Sequence, residues 1–546
     1  MILDREIELP VANELPSPRR NGTRWKQPLR RDIPVWLGLL AVVVCLQILS
    51  GAYRAEFSGY PDEPAHYVTA VMLRDYVVHL HFLESPLRFA SEYYHHYPKV
   101  AFGHWPPFFY IVQAIWMALF SAARTSVRLQ IACTTALLGF GVFREAKKLV
   151  SAPLAIAGAL LTICLPLVQT YSAEEMSETL LTLLCFWSVI YFARYIRTEN
   201  VRHSLLFASF LSLAVLTKGN GWLLAAVPPI ALLLTRRLHL LLRKSFWVPV
   251  LLIAAVCLPW QVLTMRMAER GWEGGTHPNF PYTVSALLEF LQLFPQILGP
   301  VLLGIMVIGI AACLVVPVAR RSVRPEWATL FALLVAVWVF HSIVPAGVED
   351  RKLIIAVPAM LMFALGGAAW IADRVPSHVS LYRWRYAAAA IATMSFFVTT
   401  FQVPRVEHYG FTEAATFLAN VAKPSNATIL VSSDSGGEGM LISEVAMLHP
   451  HPVETVLRGT KSLATVDWNG ADYHCTYSSP AELLHFLRDE KVGYVVIDNF
   501  PPQVKFTHDA LLKKTIATGK AFELIRTFRS RQSSMPGEIR IYRFAL

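Results

Sequence analysis

PVWLGLLAVVVCLQILSGAYRAEFSGYPDEPAHY, residues 34–67, decides how the rest of the chain is read. Residues 34–53 are apolar, and at about 1.5 Å per residue they are long enough to cross a hydrocarbon core about 30 Å thick. Just behind them, Asp62 and Glu63 sit between Pro61 and Pro64. Carboxylates at a membrane edge are costly to bury and are usually kept for a task. The competing reading is a helix cap, because Asp62 precedes the helix-like run Ala65, His66, Tyr67, Val68 and Ala70.

Composition extends this first span to the whole chain. Of 546 residues, 55% are hydrophobic and only 16% charged, with a mean hydropathy of +0.44, which excludes an ordinary soluble domain. The net charge of +11 falls in short clusters between apolar spans, so it reads as a topology signal and not as a nucleic-acid surface. Residues 1–33 form a basic tail with Arg19, Arg20, Arg24, Lys26, Arg30 and Arg31, and no small-residue cleavage site follows. An uncleaved first span with a cytoplasmic tail is expected. Six of the seven cysteines lie in apolar segments and only Cys475 in a polar one, so no disulfide framework is implied.

Further spans are expected near 127–143, 153–171, 178–197, 203–217, 220–235, 246–264, 297–318, 327–344, 353–372 and 386–402. Lys and Arg gather in every second loop: at Arg144 to Lys148, Arg194 to His203, Arg236 to Lys244, Arg320 to Arg324 and Arg374 to Arg385. By the positive-inside rule these loops are cytoplasmic. Residues 54–126, 172–177, 218–219, 265–296 and 345–352 then face outward, provided the segment 106–120 is interfacial or re-entrant. The expectation is a polytopic α-helical membrane protein of about 11 to 13 transmembrane helices. From 404 to 546 the apolar runs shorten to strand length. Strands are expected at Ala427 to Val431 and Tyr494 to Ile497, with helices at Glu438 to Leu448 and Pro480 to Lys491, which makes a small C-terminal soluble α/β domain on the outer side.

The strongly polar features all fall in the outward loops. They are Tyr60 to Tyr67, with its acidic pair; His104-Trp105-Pro106-Pro107-Phe108; Tyr171 to Glu178, with Glu174 and Glu175; and Glu349-Asp350-Arg351-Lys352. In order and spacing they resemble the GT-C glycosyltransferases, in particular the membrane transferases related to protein O-mannosyltransferases and the lipid A aminoarabinose transferase (glycosyltransferase family 39-like). The resemblance covers residues 34 to about 402. It implies that Asp62 is the general base, with Glu63 either positioning the acceptor or a solvated neighbour. Glu174 and Glu175 match a second acidic site that holds acceptor or a divalent metal; the alternative is a pair of helix N-terminal acids favoured by the macrodipole. Arg351 matches the basic position before a late Pro-containing span and is the preferred donor-phosphate ligand, with Lys352 and Lys99 in support. It could instead be a snorkelling arginine, or be tied up by Asp350. Some relatives carry a lysine just before the paired prolines, where this chain has Trp105.

Three weaker features complete the reading. Residues 265–285, with Gly271, Gly274, Gly275 and His277, form a candidate flap. His66, His104, His277 and His341 make no metal-ligand pair on one helix, so no structural zinc is expected; a divalent cation at Asp62 and Glu174 stays open. Ser435-Gly436-Gly437-Glu438-Gly439 invites a phosphate-loop reading but lacks the required spacing, which favours an ordinary tight turn.

The expected activity is inverting transfer of a hexosyl or pentosyl group from a polyprenyl-phosphate-linked donor to a hydroxyl of a lipid, glycan or protein acceptor. No cofactor is called for beyond that open divalent cation, and the other partners are membrane lipids, not nucleic acid. The place is the outer face of an inner (plasma) membrane, with the N-terminus cytoplasmic and the C-terminal domain extracytoplasmic. A membrane transporter of a lipid or glycan and a noncatalytic scaffold are the rivals; transporters tend to place ionisable residues at mid-membrane depth, whereas these acids collect at span ends.

Overall fold

The structure, a computed structural model, describes residues 32–545 apart from 102, 269–277, 399–400, 423–426, 467–471, 502–505 and 531–535. Among the described residues, seven helices are long and apolar enough to cross a membrane: Ile33–Ser50, Arg124–Leu149, Glu178–Thr198, Lys244–Met265, Pro300–Ala319, Pro325–Ile343 and Asp350–Ala372. Ala152–Cys164 and Pro166–Ala173 form a further span bent by 55°, because Pro166 cannot continue the hydrogen-bond ladder of the preceding helix. Val201–Thr217 and Gly219–Thr235 are shorter apolar helices, and Arg385–Val398 closes the helical region. Each expected span coincides with a helix over most of its length, but among the described residues seven helices, or eight counting the bent pair as one span, are long and apolar enough to cross, against the 11 to 13 expected.

Two segments of the outward loops refine that reading. Phe108–Leu119 has 12 residues, about 18 Å of helix, too short to traverse the bilayer; it packs against the helix Glu63–Val78. Residues 280–296, expected to belong to an outer loop, are instead part of the helix Phe280–Leu298. Ala286, Phe290 and Ile297 form the buried stripe of that helix, and Trp338 Nε1 donates to Leu287 O at 3.0 Å. Glu289, Gln292 and Pro295 interrupt its apolar run, which hid the helical period. The candidate flap thus loses residues 280–285 to this helix, and its centre, including His277, lies outside the described residues.

The basic loops converge on one end of the bundle. Asp32 meets Lys147 at 3.3 Å, Glu145 meets Lys148 at 2.6 Å and Arg194 at 2.7 Å, and Arg197 pairs with Glu326. At the other end of the helix 124–149, Arg124 pairs with Glu444 of the C-terminal region. The alternation of loop charge is thus a real two-ended arrangement. Between the ends, the Pro300–Ile310 and Val357–Ala372 helices touch backbone to backbone: a Cβ at Gly309 would run into the Phe363 carbonyl, and one at Gly367 into that of Ile305.

The C-terminal region is a mixed sheet flanked by helices. Its strands are β1 (Thr428–Ser432), β2 (Val456–Arg458), β3 (Ala464–Thr465), β4 (His474–Cys475), β5 (Val492–Asp498), β6 (Phe522–Arg529) and β7 (Glu538–Phe544). The main sheet runs β2-β1-β5-β7-β6. β1 pairs in parallel with β2 and β5, and β7 antiparallel with β5 and β6. Burial on every residue from Val492 to Ile497 fits a central strand, whereas β6 is largely exposed. Helices Ser435–Leu448 and Pro480–Asp489 lie where expected. The glycine run opens the first of these, and Asp434 accepts from Gly436 N and Gly437 N at 3.0 and 2.8 Å, so the chain's own carboxylate occupies the place a phosphate would need.

This region seats directly on the loop segment that follows the first span. Buried Glu56 accepts from Tyr409 N at 2.9 Å and Gly410 N at 2.8 Å, and one continuous apolar core joins Tyr67 and Val71 to Met440 and Leu441.

Candidate active site

The local fold separates the two neighbouring carboxylates. The helix Glu63–Val78 starts at Glu63 with Pro64 in its first turn, and Asp62, in the N-cap position, makes no side-chain cap hydrogen bond. Glu63 instead reaches back to the preceding loop, accepting from Gly59 N at 2.7 Å and Tyr60 N at 3.2 Å. It also accepts from Glu175 N at 2.6 Å and pairs with Arg128 at 2.9 Å, both side chains being fully buried. Glu63 is therefore neither a solvated neighbour nor open to an acceptor, because its oxygens are already taken up inside the protein. The cap reading of Asp62 fails because its side chain makes no cap hydrogen bond, and that side chain is left 30% exposed.

Positive charge collects around Asp62. Arg351 Nη1 lies 3.9 Å from Asp62 Oδ2, and the guanidinium sits 4.4 Å over the Tyr60 ring. Its close partner is Glu349, at 2.5 Å, and not Asp350 as one reading had it. Lys218, which sequence reasoning passed over, holds Glu178 at 2.5 Å. Its signal was legible: a lysine in a two-residue outward loop breaks the charge alternation. Burial raises the pKa of Asp62, against the opposing pull of Lys218, Arg351 and Lys99. Burial also lowers Lys99 to about 7, helped by Arg458 and opposed by Glu438 and Asp62. Asp62 is thus a partly desolvated carboxylate beside several cations, an environment that perturbs its protonation.

The remaining expected residues divide. Lys352 is buried and donates to Ala346 O and Gly347 O, so it clamps its own loop and is not presented to a phosphate. Glu174 and Glu175 do not head a helix; that position belongs to Glu178, which corrects the macrodipole reading. They pack beside Glu63 instead, and a Cβ at Gly59 would lie 2.5 Å from Glu174 Oε1. Burial and then the neighbouring Glu63 push Glu174 well above the usual carboxyl range, and burial raises Glu175 to about 8 against the pull of Arg128. Asp62 and Glu174 join no cluster of three or more metal-ligating side chains among the described residues.

The Pro-Pro-aromatic segment forms a wall. Pro107 opens the helix Phe108–Leu119, Trp105 lies 4.5 Å from the His66 ring, and His66 Nδ1 is 2.9 Å from the Tyr110 hydroxyl. Burial drives the His66 pKa down to about 3, which makes it a neutral packing residue at ordinary pH.

Comparison with known proteins gives this geometry a class. A family model described as dolichyl-phosphate-mannose-protein mannosyltransferase matches residues 104–262. The fold is similar to that of ArnT from Cupriavidus metallidurans bound to undecaprenyl phosphate, with a TM-score of 0.56 at 14% identity over 94% of this chain and 98% of that one. It is also similar to an Archaeoglobus fulgidus oligosaccharyltransferase tethered to an acceptor peptide, with a TM-score of 0.51 at 12% identity, covering 85% and 69%. No curated protein matches by sequence. The chain is a multi-pass membrane protein with the fold of the GT-C glycosyltransferases. The family-model match lies within its membrane-embedded part.

Proposed function

We propose that this protein transfers a sugar, with inversion, from a polyprenyl-phosphate-linked donor to an acceptor hydroxyl, using Asp62 as general base. The observation that carries the reading is the contrast at the acidic pair: Glu63 is sealed in an ion pair while Asp62 stays accessible, 3.9 Å from Arg351. Inversion needs the acceptor proton removed on one face of the anomeric carbon while phosphate departs from the other. Asp62 would take that proton. Phosphate is a good leaving group and calls for positive charge more than a proton, and Arg351 is the cation aimed at the same space, with Lys218 and Lys99 adding to the local field. A guanidinium holds phosphate oxygens in a fixed fork.

The membrane orientation belongs to the same proposal. The basic loops sit at the opposite end of the bundle from Asp62, so the positive-inside rule puts Asp62 and the C-terminal region on the outer side of the inner membrane, with the N-terminus in the cytoplasm. The donor is then a lipid-linked sugar and not a cytosolic nucleotide sugar.

The test is a transfer assay on purified full-length chain with a polyprenyl-phosphate-linked sugar, run with and without EDTA to decide whether a divalent cation at Asp62 and Glu174 takes part. Asp62→Asn should lower turnover by about 10²- to 10⁴-fold, the range of general-base catalysis, while leaving the melting temperature unchanged or higher. Near-normal turnover of that variant removes Asp62 from the mechanism.

A further inference from the structure

We propose a transition-metal site, separate from the Asp62 centre, made by Asp75, His79, His81 and His451. Their ligand atoms all lie within 4.8 Å of one another. Asp75 and His79 stand one helical turn apart on the same face. Leu80 takes a left-handed conformation with φ 57°, which folds the chain back and returns His81 to the same side. His451 comes from the C-terminal region, where its loop is fixed by Tyr97 Oη donating to His449 O at 2.9 Å and Tyr93 Oη to Pro450 O at 2.7 Å.

Two observations point to an ion and not to a simple ion-pair cluster. Asp75 is fully buried, yet its described polar partners are only the imidazoles: His79 Nδ1 at 2.6 Å and His451 Nδ1 at 3.1 Å. A buried carboxylate ordinarily collects backbone or guanidinium donors. The second concerns His81, whose Nδ1 lies 3.1 Å from Glu84 Oε1 while its buried Nε2 has no hydrogen-bond partner. A carboxylate on one ring nitrogen and a bare lone pair on the other is the outer-shell pattern of metal-bound histidine.

Three imidazoles and one carboxylate suit a divalent ion of zinc's preferences. Bound at about 2.0 to 2.2 Å to each donor, it would draw the four groups closer than they stand without it. Such an ion would join the outer-loop helix to the C-terminal region, so the site is structural, with its free energy appearing as folding stability. The sequence reading weighed other histidines and passed over this one, whose signal is Asp-x3-His-x-His at 75–81.

The experiment is elemental analysis of the purified full chain after incubation with zinc and desalting, with chelator-induced change in melting temperature as a second readout. One zinc per chain is expected, with a lower melting temperature after EDTA. The His81→Ala/His451→Ala variant should lose at least about tenfold in occupancy, the range of ligand and outer-shell changes, and its melting temperature should no longer respond to EDTA. His451→Gln, a change at an exposed loop residue, repeats the test with less disturbance, and Asp62→Asn should keep its zinc. Absence of bound zinc in the wild-type chain, or equal zinc in wild type and the double variant, overturns the proposal.

Discussion

At the basic end of the helix bundle, Glu145 has both Lys148 and Arg194 in contact and Glu326 has Arg197; at the other end, Asp62 has Arg351 at 3.9 Å, and Glu174 and Glu175 have no ion pair among the described residues. The basic end also holds a cavity of about 800 Å³, lined by Arg144, Lys147 and Arg324 among others. Charge-matched loop ends are what an oriented membrane protein needs in order to hold its topology, whereas buried acids without matching cations cost stability and persist only where they have a use.

Four substitutions and one titration would break or sharpen that contrast. The largest effect is the loss of turnover on Asp62→Asn described above. Next is Glu63→Gln, which leaves Arg128 buried without its counter-charge; breaking such a pair costs about 3–5 kcal/mol, seen as a large fall in denaturation midpoint. If Glu63→Gln were as stable as wild type and merely inactive, the division of labour between the two acids would be reversed. Arg351→Ala comes third. Removing one charge-assisted contact of about 1.5–3 kcal/mol should lower kcat/KM for the donor by about tenfold to a hundredfold, with acceptor KM little changed; equal losses on both substrates would mark a positional role.

The fourth effect is a titration. Burial lifts Glu175 to about 8, so between the usual glutamate range and that value the folded chain holds a proton that the unfolded chain releases. Its contribution to stability is complete below the unfolded pKa and is lost as pH rises through about 8. Glu175→Gln should flatten the fall in melting temperature over that window. The smallest effect is expected at the basic end, where Arg144→Ala should change stability by less than about 0.5 kcal/mol and leave transfer untouched. A loss of activity there would undo the comparison.

The helical fold was largely legible because span length and loop charge are properties of contiguous sequence. The helix 280–298 escaped because Glu289, Gln292 and Pro295 break its apolar run, and β6 and β7 because Glu523, Arg526 and Arg529 in one and Glu538, Arg540 and Arg543 in the other break theirs. The site was half legible. The outward loops announced Asp62 and Arg351 by type and position, but which of two adjacent acids faces inward depends on Arg128, 65 residues beyond Glu63, and Lys352 is turned away by carbonyls of its own loop. Such assignments come from three-dimensional contact alone.

The crossing of Gly309 and Gly367 bears on how a substrate would be met. Two main chains locked together without intervening side chains leave the helix that begins beside Arg351 little room to slide or roll. The guanidinium is thereby held at a fixed address, and under the proposed function an arriving headgroup would have to conform to the arginine. A methyl group added at either glycine would meet a backbone carbonyl, which should part the two helices and loosen that address.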